Sequence, residues 1–297
     1  MTENNTSGHR PVNLYYFHSK RNFGDELGPV ILNRIFGTNI RAASAEKADL
    51  VALGSLLDLF LWKGRSVLKY LAYVLSAVYQ PLHIFGTGFI QQPVLDRYGR
   101  PKAELFFRRL KIHAARGHLS AERLRKSSGK SGENIAVGDP GILASLLIDG
   151  HTGAKRYALG IVPHYVDGGN ELLFKLNRQT PNSLIIDVAD DPISVLKTIS
   201  ACDVIVSTAM HGLIAADSLG IPNAWVKVSD KIRGGDYKFL DYYSAYGVDH
   251  ATCQDLRTVD QFDLTPQKIA ENYSISRAEV TVLKKGLLDS FPRDLVQ

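Results

Sequence analysis

Eight short runs rich in apolar and β-branched residues recur along the chain, at 12–17, 50–53, 82–85, 110–114, 157–162, 183–188, 203–207 and 224–228. Helical spacing fills most of the gaps between them. Parallel strands need a crossover connection, usually a helix, so this alternation points to βαβ units and an α/β fold with parallel sheets. The series breaks near 149–155, a polar DGHTGAK stretch, and a second series of strands starts directly after it. Two Rossmann-like domains with a cleft between them are expected, over residues 1–152 and 153–297. A chain of 297 residues with 45% apolar content is long enough to give each a core.

The most informative single segment is 201–225, ACDVIVSTAMHGLIAADSLGIPNAW. Its strand run 203–207 ends at Ser207, and helical spacing resumes at 213–219 before Gly220 and Pro222 stop it. The intervening turn lies at the carboxyl end of a strand, where open α/β sheets bind ligands, and it places His211 and Gly212 at the first turn of the helix. A helix start offers unpaired N–H groups and partial positive charge, so a phosphate or carboxylate suits it. The competing reading is a buried, hydrogen-bonded histidine that packs the turn.

Other loops fall at strand ends in the same way. After the first strand, HSKRNFGDEL holds Asn22, Gly24 and Asp25, with Asp25 expected to cap a helix running to Phe36. Gly54-Ser55 and Gly86-Thr87-Gly88 follow the next two strands, without the full GxGxxG pattern of dinucleotide sites. Arg116-Gly117 offers a guanidinium suited to two-point grip of an anion, and Ser120 is expected to cap the next helix. Gly138-Asp139-Pro140 reads as a structural turn. His164 sits at the end of the strand 157–162, and the run from Arg233 through Lys238 and Asp241 to Tyr242 and Tyr243 mixes charge with aromatics in a manner suited to a sugar.

Several classes fare poorly. No GxSxG, P-loop or HExxH pattern occurs, and no metal is expected. Cys202 and Cys253 match no redox or metal spacing, so no disulfide is expected and Cys202 reads as a buried thiol. Residues 1–11 are polar, with no secretory pattern, which gives a cytoplasmic expectation. The net charge is +5, yet residues 97–130 alone hold eleven Lys or Arg against two acids. Without an aromatic platform or helix-turn-helix pattern this patch does not suggest nucleic acid. An apolar stretch at 56–79, split by Lys63, Gly64 and Arg65, is expected either as a peripheral contact with the inner face of the cytoplasmic membrane or as a core or dimer helix.

Taken together, NFGDEL at 22–27, FGTGF at 85–89, ARGHLSAERL at 115–124, GDPGIL at 138–143, PHY at 163–165, STAMHGLIAADSLGIP at 207–222 and YKFLDYY at 237–243 resemble the polysaccharide pyruvyltransferase family over nearly the whole chain. The resemblance implies a GT-B-like pair of domains. It implies transfer of pyruvate from phosphoenolpyruvate to a sugar of an exopolysaccharide or cell-surface glycan precursor, usually as a ketal on two hydroxyls, with no cofactor beyond that co-substrate. The acceptor is expected to be lipid-linked or polymeric. On this reading His211 and His164 are catalytic, Arg116, Gly212, Ser207, Arg233 and Lys238 hold the donor, and Asn22, Asp25, Asp241 and Tyr242 hold the acceptor. Family members often carry an arginine two residues before the motif histidine; here that position is Ala209.

Overall fold

The computed structural model describes residues 10–61, 80–106, 108–129, 134–148, 154–248 and 251–296. Its first sheet holds β1 (Val12–Tyr15), β2 (Ile40–Ala42), β3 (Leu50–Ala52), β4 (Leu82–Phe85), β5 (Leu110–Ala115) and β6 (Ala136–Val137), in the order β2-β1-β3-β4-β5-β6. The second holds β7 (Tyr157–Val162), β8 (Ser183–Ile185), β9 (Cys202–Ser207), β10 (Asn223–Lys227) and β11 (Gln254–Asp255), in the order β11-β10-β9-β7-β8. Every pairing between these strands is parallel. The eight expected strands are present. β2, β6 and β11 are additions of two or three residues at sheet edges, too short and too exposed to leave an apolar run.

Helix α1 (Phe23–Phe36) shows why the local sequence folds as it does. Asn22 Oδ1 accepts the backbone N–H of Asp25 at 3.1 Å, so Asn22 is the cap and Asp25, expected in that role, lies in the first turn. The helix buries Leu27, Ile31 and Leu32 and ends at Gly37, whose φ of 65° suits glycine. Helix α2 (His118–Ser128) starts from Gly117 rather than from Ser120. Along the second half run α3 (Glu171–Gln179), α4 (Pro192–Ser200), α5 (Met210–Leu219), α6 (Tyr237–Ser244), α7 (Pro266–Asn272) and α8 (Arg277–Ser290).

Helix α1 packs against α4, α5 and the 3-10 segment Pro140–Ile148, and that segment also packs against α5. One apolar cluster therefore runs from Leu14, Leu27 and Ile31 through Ile142 and Leu143 to Ile199, Leu213 and Ile214. The backbone N–H of Phe23 also donates to Val188 O, at 2.7 Å, across the halves. Helix α8 returns to pack on β5 and β6. Two parallel sheets are present as expected; among the described residues each keeps a cluster of its own, and a third cluster joins the two halves. The boundary expected at 152/153 lies outside the described residues.

Leu57 and Phe60 of the apolar stretch are buried in a second cluster of the first sheet, and residues 62–79 lie outside the described residues. Among the described residues no helix is long and apolar enough to cross a membrane. The basic stretch is divided. Arg108 is buried with its guanidinium donating to Ala48 O at 2.7 Å and Gln80 O at 2.9 Å, while Arg123 is buried against Glu104 and Gln91 O. Arg97, Arg100 and Lys102 stay exposed beside Val94, Leu95 and Tyr98.

Candidate active site

In each sheet there is one point where the strand order reverses, between β1 and β3 in the first and between β7 and β9 in the second. Loops leave the carboxyl ends of such a strand pair in opposite directions and open a crevice. Here the two crevices meet. A cavity of about 350 Å³ is lined by Asn22, Gly24 and Asp25 after β1, Gly54–Leu56 after β3, Pro163–Tyr165 after β7, Ala209–His211 after β9, and Lys231, Arg233 and Lys238 after β10. Tyr15, Phe17, Leu59 and Ile90 supply apolar wall.

His211 occupies the first turn of α5, where the sequence placed it. A Cβ on Gly24 would collide with its Nδ1, so the glycine of NFGDEL exists to admit this ring. Burial, reinforced by Lys238, Arg116 and His164, pushes the imidazole down to about 3, so it is neutral near pH 7. His164 is fixed by its backbone N–H, which donates to Thr208 Oγ1 at 2.7 Å. Burial and Lys238 lower it to about 4. Lys238 is itself nearly buried, and desolvation, with Arg116 adding repulsion, brings it down to about 8, still charged at neutral pH. The floor of the cavity thus combines two neutral histidines with one desolvated ammonium, and Lys231 and Arg233 stand exposed at its rim. Asn22 and Asp25 line the opposite wall bound to each other, the amide donating to Asp25 Oδ2 at 2.6 Å.

The structure places the remaining expected residues elsewhere. The Arg116 guanidinium is fully buried and its donors are spent on Asp241, Gly54 O, Ser55 Oγ and Phe89 O, so it does not reach a ligand. Asp241 is equally buried and also takes the N–H and hydroxyl of Ser120, at 2.7 and 2.6 Å. Gly88 and Gly117 leave room for this pair, which gives both glycines a packing role. Tyr242 is buried, its hydroxyl on Asp217 at 2.5 Å. Ser207 Oγ bonds Val162 O and Ala209 O, both at 2.8 Å, and ties the turn. Gly212 abuts Ser207 and Val162, so its missing side chain serves packing rather than ligand approach.

Two groups escaped the sequence reading. Thr208 positions His164, and Asp139 is fully buried with Oδ2 at 3.9 Å from His211 Nε2. A GDP turn gives no sign of that contact, because it arises only when the segment Pro140–Ile148 packs on α5.

A cavity built from facing switch-point loops, with histidines and cations gathered at strand ends, defines an α/β protein with a candidate active site where its two sheets meet. Residues 4–230 match the family described as polysaccharide pyruvyl transferase, and the chain belongs to that family. It is 27% identical over 243 residues to the uncharacterized protein L143 of Acanthamoeba polyphaga mimivirus, covering 81% of this chain and 76% of that protein. The solved structure of Thermosulfurimonas dismutans KpsC, a beta Kdo 2,7 transferase, is 14% identical and covers 92% of this chain and 89% of its own, with a TM-score of 0.25, too low to bear on the fold.

Proposed function

We propose that this cavity transfers pyruvate from phosphoenolpyruvate to a sugar of an exopolysaccharide or cell-surface glycan precursor, closing it as a ketal on two hydroxyls. The observation that carries the reading is the meeting of His211 and His164, both inside the segment that matches the family, with Lys238 just beyond it, in one cavity. The donor is a small, highly charged anion, so its site needs cations and polar donors more than volume. Lys238, with Lys231 and Arg233 at the rim, supplies the charge that Ala209 lacks. The reaction delivers a proton to the donor's methylene carbon, lets a sugar hydroxyl attack the adjacent carbon, expels phosphate, and closes the second hydroxyl onto the same carbon. A histidine that gives a proton and later takes one serves both ends of that sequence, and groups in that role supply about 10²–10⁴-fold. His211 is assigned it, with His164 beside it. The apolar wall of Phe17, Leu59 and Tyr165 receives the sugar face.

The test incubates the protein with phosphoenolpyruvate and a glycan preparation, and follows phosphate release together with a mass gain of one pyruvate ketal on the glycan. His211→Gln, folded by its amide spectrum, is expected to lose at least about 100-fold in kcat. Turnover with a sugar nucleotide and none with phosphoenolpyruvate would replace the reading with glycosyl transfer.

A further inference from the structure

Asp139 is the buried ionisable group beside the cavity that the reading above leaves unused. It follows β6, is fully buried, and accepts the backbone N–H of Gly141 on Oδ1 at 2.9 Å. Its Oδ2 has no hydrogen-bond partner, and neither has His211 Nε2, 3.9 Å away. An orphaned buried polar atom is costly, so two facing each other at a ligand cavity call for an explanation in function. Pairs of this kind are often long in an unliganded site and close when substrate binds. With Nε2 turned to Asp139, the other ring nitrogen, Nδ1, lies against Gly24 at the cavity wall.

Resting on the pyruvyl-transfer reading, we propose that Asp139 is the proton partner of His211, holding the proton that lets the imidazole act as acid and then as base without becoming charged. In the first step the Nδ1–H bond breaks as the donor's methylene C–H bond forms, and the carboxyl O–H of Asp139 breaks as Nε2–H forms. The pair is left as neutral imidazole and carboxylate. In the return step the attacking hydroxyl loses its proton to Nδ1, and Nε2 hands its proton back to Asp139. Asp139 touches no substrate and acts through His211, as a positioning residue.

The surroundings favour this route over an imidazolium. Lys238, Arg116 and His164 all face His211 and oppose a positive charge there, in addition to its burial. Asp139 is pushed up to about 7 by burial, with Asp241 adding to the rise while Arg116 and the N–H groups of Gly141 and Gly54 oppose it. The protonated carboxyl is therefore populated near neutral pH, where a buried imidazolium is not.

Nitrogen-15 spectra of the histidine side chains test the pair without any assay of turnover. In the wild-type protein His211 is expected as the Nδ1–H tautomer at low pH, passing to the Nε2–H tautomer with a midpoint near 7 and remaining neutral throughout. In Asp139→Asn that exchange is expected to vanish between about pH 5 and about pH 9. In the transfer assay the same variant is expected to lose about 10²–10⁴-fold in kcat, to keep the KM for phosphoenolpyruvate within about threefold, and to lose the fall in rate above neutral pH. A wild-type His211 that charges near its ordinary value, or that keeps one tautomer across the range, overturns the proposal even if Asp139→Asn does not fold. So does wild-type kcat in a folded Asp139→Asn. A tautomer exchange without any phosphoenolpyruvate-dependent transfer supports the pair and rejects the pyruvyl reading alone.

Discussion

At the residue scale, the Arg116–Asp241 pair shapes the site without entering it. Its guanidinium clamps the turn after β3, where Leu53 and Gly54 take φ values of 62° and 79°. A leucine in that left-handed region costs about 1–3 kcal/mol, and it persists because packing and hydrogen bonds leave the turn no alternative. Removing one partner of a buried pair strands the other charge, so Asp241→Asn is expected to lower stability by about 3–5 kcal/mol in urea unfolding. A loss under about 1 kcal/mol would mean that Arg116 is satisfied without Asp241. Gly24→Ala makes the opposite kind of change. Its methyl group meets the His211 ring, so transfer should fall at least about tenfold, while unfolding shifts far less than in Asp241→Asn. Wild-type turnover in that variant would show that the ring position is not critical. His211 and His164 were legible as strand-end residues because the strand and turn signals beside them are local, whereas Lys238 stood out only within a mixed charged and aromatic run. Arg116 was legible as a cation, but its true partner lies 125 positions away, and the Asp139 contact was hidden for the same reason.

Among the elements, the neighbouring strands β4 and β5 carry a second histidine contact, away from the cavity. His83 Nδ1 lies 3.0 Å from His113 Nε2, with the rings stacked. Burial, with His113 and Lys111 adding repulsion, lowers His83 to about 4. The folded value is below the unfolded one, so this contribution to stability is complete above about pH 6.5 and is lost as pH falls toward 4. His164 and His211 act in the same direction. Asp139 and Asp217, raised to about 7 and about 6, act in the other, since the folded state holds their protons more tightly than the unfolded chain. His83→Gln removes one member of the first group. Its urea midpoint should therefore fall less than that of the wild type between about pH 6.5 and 4, and parallel curves would show that His83 is not buried neutral. Element type was readable where apolar periodicity was strong, as in β7, β9 and α5. The caps of α1 and α2 were each placed three residues late, at Asp25 for Asn22 and at Ser120 for Gly117, because aspartate and serine suit both the cap and the first turn.

For the whole molecule, the shared core has the largest consequence. Helix α1 and the segment Pro140–Ile148 bury their apolar faces against helices of the second half, and the residues that close α8 return to the first. Phe291 is stacked on Phe36 with ring centroids 3.9 Å apart and meets the edge of Phe85 at 5.2 Å. Parallel-sheet repetition in the sequence announced two sheets, but it has no term for helices that pack on each other, so separate cores were the natural expectation. A core shared by both halves couples their unfolding, because exposing either face of α1 costs apolar burial on the other. In a Trp62→Phe background, which leaves Trp225 in β10 as the one tryptophan, Phe291→Ala should remove about 3–5 kcal/mol from one cooperative transition, seen alike by fluorescence and by far-ultraviolet circular dichroism of the whole chain. If the halves were cored independently, the substitution would lower the first half alone. Two resolved transitions, with the Trp225 signal unmoved by Phe291→Ala, would show that each half unfolds on its own core and would detach the cavity's walls from a common one.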